Sequence, residues 1–177
     1  MCMTTTVVDV ALFRDAQRLS EAVEDLLRVV QFRDRDRACC YDISVSQCYA
    51  LERVVGAEGL TVNELAASLY LDKSTASRIA NSLVDKQYLA RARDPEDGRV
   101  VRLVPTQAGS ELCQRILADI TEDYAEMLAE FSPEVRAGIV RLVARLGRSF
   151  AARVKTSGGL CCVVGKESSP GAALSFR

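Results

Sequence analysis

The sequence predicts a mainly α protein with one two-stranded β hairpin set between a group of short helices and a final pair of long ones. Three observations carry that expectation. Apolar residues recur at helical spacing along most of the chain as far as Lys155. Three short apolar runs each follow a Ser, Thr or Asp placed to cap a helix. One segment, "YLARARDPEDGRVVRLVP", switches to short β-compatible runs around a Pro/Gly turn.

The elements follow in order. "VVDVALFRDAQRLSEAVEDLLRVVQF" puts Val10, Phe13, Leu19, Val23, Leu26, Leu27 and Val30 near one stripe, as a long amphipathic helix requires. The charged run "RDRDR" breaks the apolar pattern and is expected to end that helix. Ser44 with Gln47 forms a capping box before "CYALERVV", and Thr61 with Glu64 forms another before "LAASLY". Asp72 caps the helix running "KSTASRIANSLVDKQ". Pro95 and Gly98 turn the hairpin. Thr106 opens a helix to about Glu130, roughly 36 Å long at 1.5 Å per residue. Ser132 with Pro133 at the first helical position opens the last helix, ending near Lys155. From Thr156 to Arg177, Gly and Ser with Pro170 read as a flexible extension around the apolar patch "LCCVV". The expected parts are residues 1–43, 44–105, 106–155 and 156–177: a first helix with a thiol-rich junction, a reader, a helix pair and a tail.

Helix, helix, helix and hairpin is the order of a winged helix-turn-helix, whose second turn-flanking helix enters the major groove of DNA. Leu65, Ala66, Leu69, Leu71, Ile79, Leu83 and Leu89 are expected to close its core, with small Ala66 and Ala67 letting the helices approach. "DKSTASR" opens the recognition helix with hydrogen-bonding groups. Lys73, Ser74, Thr75, Ser77 and Arg78 suit phosphate oxygens or base edges. A polar helix face alone would say little; joined to this hairpin it points to DNA.

Bulk properties agree. The 177 residues are 49% hydrophobic with a formal net charge of −1, so one domain with a core and extensions fits, and nucleic-acid affinity must come from a local basic surface. An enzyme is not expected: the chain has no histidine, no Gly-rich phosphate loop and no recognisable acid pair. The start, "MCMTTTVVDVALFRDAQ", has no basic region followed by a long apolar run, and no stretch nears the roughly 20 apolar residues of a membrane span. A cytoplasmic protein with no membrane partner is expected.

From about residue 8 to residue 155 the chain resembles the MarR family of bacterial transcription regulators. The most specific part is the wing, "DPEDGRVVRLVPTQAG", which is similar to the family's Asp-x-Arg pattern followed by Leu, Thr and Gly; here these are Asp97, Arg99, Leu103, Thr106 and Gly109. The resemblance implies that Arg99 enters the minor groove, whose narrow negative potential attracts arginine, and that Asp97 holds Arg99 in place. The wing departs from the pattern in its acids, Asp94, Glu96 and Asp97. Around it the basic residues are Lys73, Arg78, Lys86, Arg91, Arg93, Arg99 and Arg102. The resemblance also implies a homodimer of intertwined first and last helices, a pseudo-palindromic double-stranded operator, and repression as the default. Independently, Ile116, Ile120, Leu128, Ile139, Leu142 and Leu146 carry more apolar surface than a small reader covers.

Seven cysteines, an odd number, and no secretory leader argue against a disulfide framework. Cys39, Cys40 and Cys48 fall at the junction of dimerisation and reader parts, where the resemblance implies inducer binding. Without histidine a metal site there would be thiolate-rich and suit soft ions. Adjacent cysteines are awkward for tetrahedral zinc. The expected inducer is therefore a thiophilic metal or metalloid of the arsenic, antimony or mercury type, with no cofactor needed for DNA binding. The same thiols suit an oxidant sensor, or plain packing in a regulator of small organic ligands, since Cys48 shares a stripe with Leu51 and Val55. Cys161 and Cys162 are candidates to fold back on this cluster. Cys113, near Ile116 and Ile120, is expected in the core.

Overall fold

The computed structural model describes residues 9–156; within that range the side chains of residues 37–39, 155 and 156 are outside the description, as is the predicted tail with Cys161 and Cys162. The order is α1 (Val10–Cys40), α2 (Val45–Gly56), α3 (Val62–Ser68), α4 (Lys73–Asp85), β1 (Leu89–Arg93), β2 (Val101–Pro105), α5 (Gln107–Ala129) and α6 (Pro133–Thr156). The chain divides into two compact units, one up to Asp119 and one from Ile120 onward.

In the first unit, α1 runs through "RDRDR" to Cys40, so the break expected at the charges does not occur. Loss of apolar periodicity does not end a helix, because Arg is a good helix former and the run holds no Gly or Pro; Arg33 and Asp34 in it are half-buried. The chain instead turns beyond Cys40, where Asp42 takes a left-handed φ of 53°.

The three predicted caps are in place. Ser44 Oγ accepts from the Gln47 backbone N–H, while Gln47 Oε1 accepts from the Ser44 N–H. Thr61 and Glu64 repeat the box. Asp72 accepts from the Thr75 N–H. Because α3 has only seven residues, Thr61→Ala is expected to cost about 1 kcal/mol, seen as a lower urea midpoint; an unchanged midpoint would show that α3 is held by packing alone.

The C-terminal ends follow one plan. Glu58, Tyr70 and Gln87 take left-handed φ values of 55°, 55° and 62° after α2, α3 and α4. Each is followed by an N–H that returns to the helix: Gly59 to Val54 O, Leu71 to Ala66 O and Tyr88 to Leu83 O, at 3.0, 2.9 and 3.0 Å. This double closure satisfies the last carbonyls.

The core of the unit joins α2, α3, α4 and the hairpin. Ala76, Ala80 and Leu83 form a buried stripe on α4, and Ala50, Leu51 and Val54 do so on α2. Of the predicted core, Leu65, Ala66, Leu83 and Leu89 are buried, whereas Leu69, Leu71 and Ile79 are half-buried. β1 and β2 pair antiparallel with Arg91 opposite Leu103. Leu60 adds a third short pairing through two backbone bonds with Leu103, 2.9 and 2.7 Å. Gly59 sits there at φ 126°, where a side chain would also press on Leu103 O at 3.1 Å. Thr106 joins the hairpin to α5, donating to Gln87 O at 2.7 Å and accepting from the Gly109 N–H at 3.0 Å. Leu112 and Ile116 of α5 are buried. Ile116, expected on a surface reserved for another chain, is therefore used within this unit.

In the second unit, Arg136 closes the turn between α5 and α6, donating to Phe131 O at 2.8 Å and Ala129 O at 3.2 Å. Pro133 is the first residue of α6, as its missing N–H favours. Met127, Val140, Leu142, Val143 and Phe150 are exposed. Among the described residues, no helix is long and apolar enough to cross a membrane.

Candidate nucleic-acid interface

The turn between α3 and α4 sets the start of α4 on the surface. Ser74 and Arg78 are exposed on the side opposite the buried Ala76 and Ala80, Thr75 and Ser77 are half-buried on its flanks, and Lys73 is exposed at the first position of the helix. Asp72 organises this end. Its Oδ1 accepts from Ser74 Oγ at 2.5 Å and from the Thr75 N–H at 2.9 Å; its Oδ2 accepts from Thr75 Oγ1 at 2.7 Å. The hydroxyl bonds from Ser74 and then Thr75, with the Thr75 backbone bond, hold the Asp72 carboxyl far below the usual carboxylate range. Arg78 Nη2 donates to Thr75 Oγ1 at 3.2 Å.

The wing's acids are largely occupied by its own turn. Asp94 Oδ1 accepts the N–H groups of Glu96 and Asp97 at 2.9 and 3.1 Å, and these two bonds lead in lowering its pKa. Its Oδ2 accepts from Arg102 at 3.2 Å, and Arg102 also donates to Gly59 O at 2.6 Å. Asp97 accepts from the backbone N–H of Arg99 at 3.0 Å. The bond expected between Asp97 and Arg99 thus goes to the main chain, leaving the exposed Arg99 guanidinium to point from a fixed backbone.

The predicted basic residues fall into two groups. Arg102 clasps the wing, Lys86 binds the carbonyl and carboxylate of Asp42, and Arg91 donates to Asn81 of α4. Lys73, Arg78, Arg93 and Arg99 are exposed and make no ion pair among the described residues. Asn81 was missed by sequence reasoning. It lies one turn beyond Arg78 on the exposed face of α4, and that position was its only signal.

At the junction, Cys40 ends α1, exposed, with Sγ 3.9 Å from Asp36 O; Cys48 is half-buried on α2. The side chain of Cys39 and all of Cys161 and Cys162 lie outside the described residues. Among the described residues, no group of three or more Cys, Asp or Glu is placed to hold a metal ion. The loop after Cys40 is tied in several directions. Tyr41 donates to Asp119 of α5 and Asp42 binds Lys86 at the end of α4, while Gln47, in the first turn of α2, donates to Ser82 of α4 at 2.7 Å. Tyr49 donates to Asp34 at 2.6 Å; burial, then that bond, pushes its hydroxyl up to about 12. Burial, then the Glu52 carboxylate, raises the Cys113 thiol.

The family model described as MarR family matches residues 41–100, from the junction loop through the wing turn. The uncharacterized HTH-type transcriptional regulator YxaD of Bacillus subtilis is 37% identical over 89 residues, 50% of this chain. That match covers 62% of YxaD, less than two thirds of its length. The uncharacterized HTH-type transcriptional regulator Mb0904 of Mycobacterium bovis is 32% identical over 123 residues, 70% of this chain and 83% of its own. The structure of Streptococcus pneumoniae FabT in complex with DNA is similar in fold, with a TM-score of 0.70 and 20% identity over 77% of this chain and 98% of that one. These relatives are regulators rather than enzymes. On its helix order, its clasped wing and these likenesses, the chain belongs to the MarR family of winged helix-turn-helix transcription regulators.

Proposed function

We propose that this chain is a homodimeric repressor that binds a pseudo-palindromic double-stranded operator and leaves it when an inducer occupies the thiol junction. The observation that carries the DNA half is the start of α4, where Lys73 is exposed and Ser74 and Arg78 stand exposed on a hydrogen-bonded frame; in the wing, Asp94 and Asp97 serve their own turn. Lys73, Ser74, Thr75, Ser77 and Arg78 meet the major groove. Arg99, on the backbone fixed by Asp97, meets the minor groove. FabT, of similar fold, has been captured with DNA. Phe13, Leu26 and Leu27 of α1, and Leu142, Val143 and Phe150 of α6, are exposed in the single chain. A second copy covers such surface and supplies the second half-site.

Arg99→Ala is the test of the wing. Binding should weaken, and the slope of log affinity against log salt should become shallower by about 1 for each wing. Unchanged affinity and slope would remove the wing from the interface.

For induction, Cys39, Cys40 and Cys48 would take a thiophilic metal or metalloid, alone or closed over by Cys161 and Cys162. What supports this is the position of Cys40 beside a loop bonded both to α5, through Tyr41 and Asp119, and to α4, through Asp42 and Lys86. An inducer that favours another arrangement of that loop shifts the DNA-binding equilibrium by its differential affinity; a 100-fold release needs about 2.7 kcal/mol. Reduced protein on its operator should be released by arsenite, antimonite or mercuric ion, and the triple variant Cys39→Ser, Cys40→Ser, Cys48→Ser should not respond. Release by peroxide alone would make the junction an oxidant sensor. Release of the triple variant by the same agents would make these thiols structural.

A further inference from the structure

The protons at the start of α4 can be assigned from chemistry. An ionised carboxylate only accepts hydrogen bonds and a guanidinium only donates them, while a hydroxyl has one proton to give. Ser74 Oγ and Thr75 Oγ1 lie 2.5 and 2.7 Å from different oxygens of Asp72, so each hydroxyl directs its proton to that carboxylate. Arg78 Nη2 lies 3.2 Å from Thr75 Oγ1, so Thr75 accepts there. A relay results, from Arg78 to Thr75 to Asp72.

Two consequences follow at the groove. Exposed Ser74 has only lone pairs left to offer. It cannot donate to a phosphate oxygen, to guanine O6 or N7, or to thymine O4. The major-groove base groups able to give it a proton are the amino groups of adenine and cytosine. Arg78 meanwhile is fixed at one nitrogen, and the rest of its donor fork remains for guanine O6 and N7.

Resting on the DNA-reading role proposed for α4, we propose that Asp72 is a specificity-determining positioning residue: it fixes Ser74 as an acceptor for an adenine or cytosine amino group and orients Arg78 through Thr75. This differs from a plain helix cap, which would need only the bond to the Thr75 N–H.

The test separates the two roles. Asn caps helices about as well as Asp, so Asp72→Asn keeps the cap. With Oδ1 kept as the oxygen that caps the helix, its amide nitrogen stands where Oδ2 was, donates to Thr75 Oγ1 and turns the Thr75 proton outward, while Ser74 still donates to Oδ1. Full-length wild-type, Asp72→Asn, Ser74→Ala, Thr75→Val and Arg78→Ala proteins are each used to select duplexes from a randomised pool, with thermal melts in parallel. Asp72→Asn should melt near the wild type. It should lose about ten-fold preference at the position of each half-site that Arg78→Ala abolishes, and keep the preference for A or C that Ser74→Ala loses. Thr75→Val should blur the same position, because it removes the same link between Asp72 and Arg78. Binding of Asp72→Asn to unrelated DNA should not fall, because a negative charge has been removed beside the phosphates. If Asp72→Asn melts early, Ser74→Ala and Thr75→Val carry the same comparison with the carboxylate cap intact. Unchanged base preferences in Asp72→Asn and Thr75→Val would overturn the relay alone. A wild-type protein with no base preference at any position would overturn the DNA-reading role as well.

Discussion

Replacing Gly109 by alanine should destabilise the first unit by about 3 kcal/mol, near the upper end for an overpacked core. Gly109 is buried in the first turn of α5 against the main chain of Tyr88, and an added Cβ would overlap the Tyr88 carbonyl. The obstacle is backbone, so no side-chain rotation relieves it. Relief would pull α5 from the hairpin and strain the bonds of Thr106 to Gln87 O and to the Gly109 N–H. Gly56→Ala is the control, because a Cβ on Gly56, in α2, meets nothing within 4 Å. That change should be neutral or add up to about 1 kcal/mol. Urea midpoints compare the pair. Equal stability of Gly109→Ala and wild type would show that α5 does not sit against Tyr88 as described.

Arg78→Ala should have the largest effect on DNA binding. A good bidentate arginine contact is worth about 1–3 kcal/mol. A dimer makes it twice, so the loss should be about 2–6 kcal/mol, or roughly 30-fold to 10⁴-fold in operator affinity. The loss should appear as relaxed preference at one position of each half-site, in competition assays against single-base operator variants. A uniform loss across all sequences would make Arg78 a phosphate clamp.

Helix starts were legible because the chemistry of a cap belongs to the residue itself: Ser44, Thr61 and Asp72 each lie three residues before the N–H they accept. Helix ends were not. Glu58, Tyr70 and Gln87 occupy left-handed positions usually marked by glycine, so packing rather than residue type decides them. α1 was cut short at "RDRDR" because apolar periodicity reports only apolar burial, and here the helix is met by a polar contact, Tyr49 of α2 on Asp34. The α4 core was under-read since Ala76 and Ala80 look like weak hydrophobes until a neighbour packs against them.

In the candidate site, the type and spacing of Lys73, Ser74, Thr75 and Arg78 were readable. Their mutual bonding was not, because a charge count does not show where a proton goes. The same holds in the wing. Asp94 and Asp97 look repulsive to DNA in sequence, yet they accept backbone N–H groups, and Arg102 is consumed by Asp94 and Gly59 O. The thiols were close in sequence, but closeness does not establish a shared site. The structure places Cys40 exposed and Cys48 half-buried on different helices.

The central claim is that α4 and the wing read DNA as a pair of half-sites. Selection of duplexes from a randomised pool by the full-length protein, followed by footprinting and competition with unrelated DNA at physiological salt, tests it most directly. The account predicts a pseudo-palindromic site bound by two chains, with half-site centres about 34–36 Å or a multiple apart, and at least about 10³-fold tighter than unrelated DNA. No enriched sequence, with selected and unrelated duplexes bound equally, would contradict it.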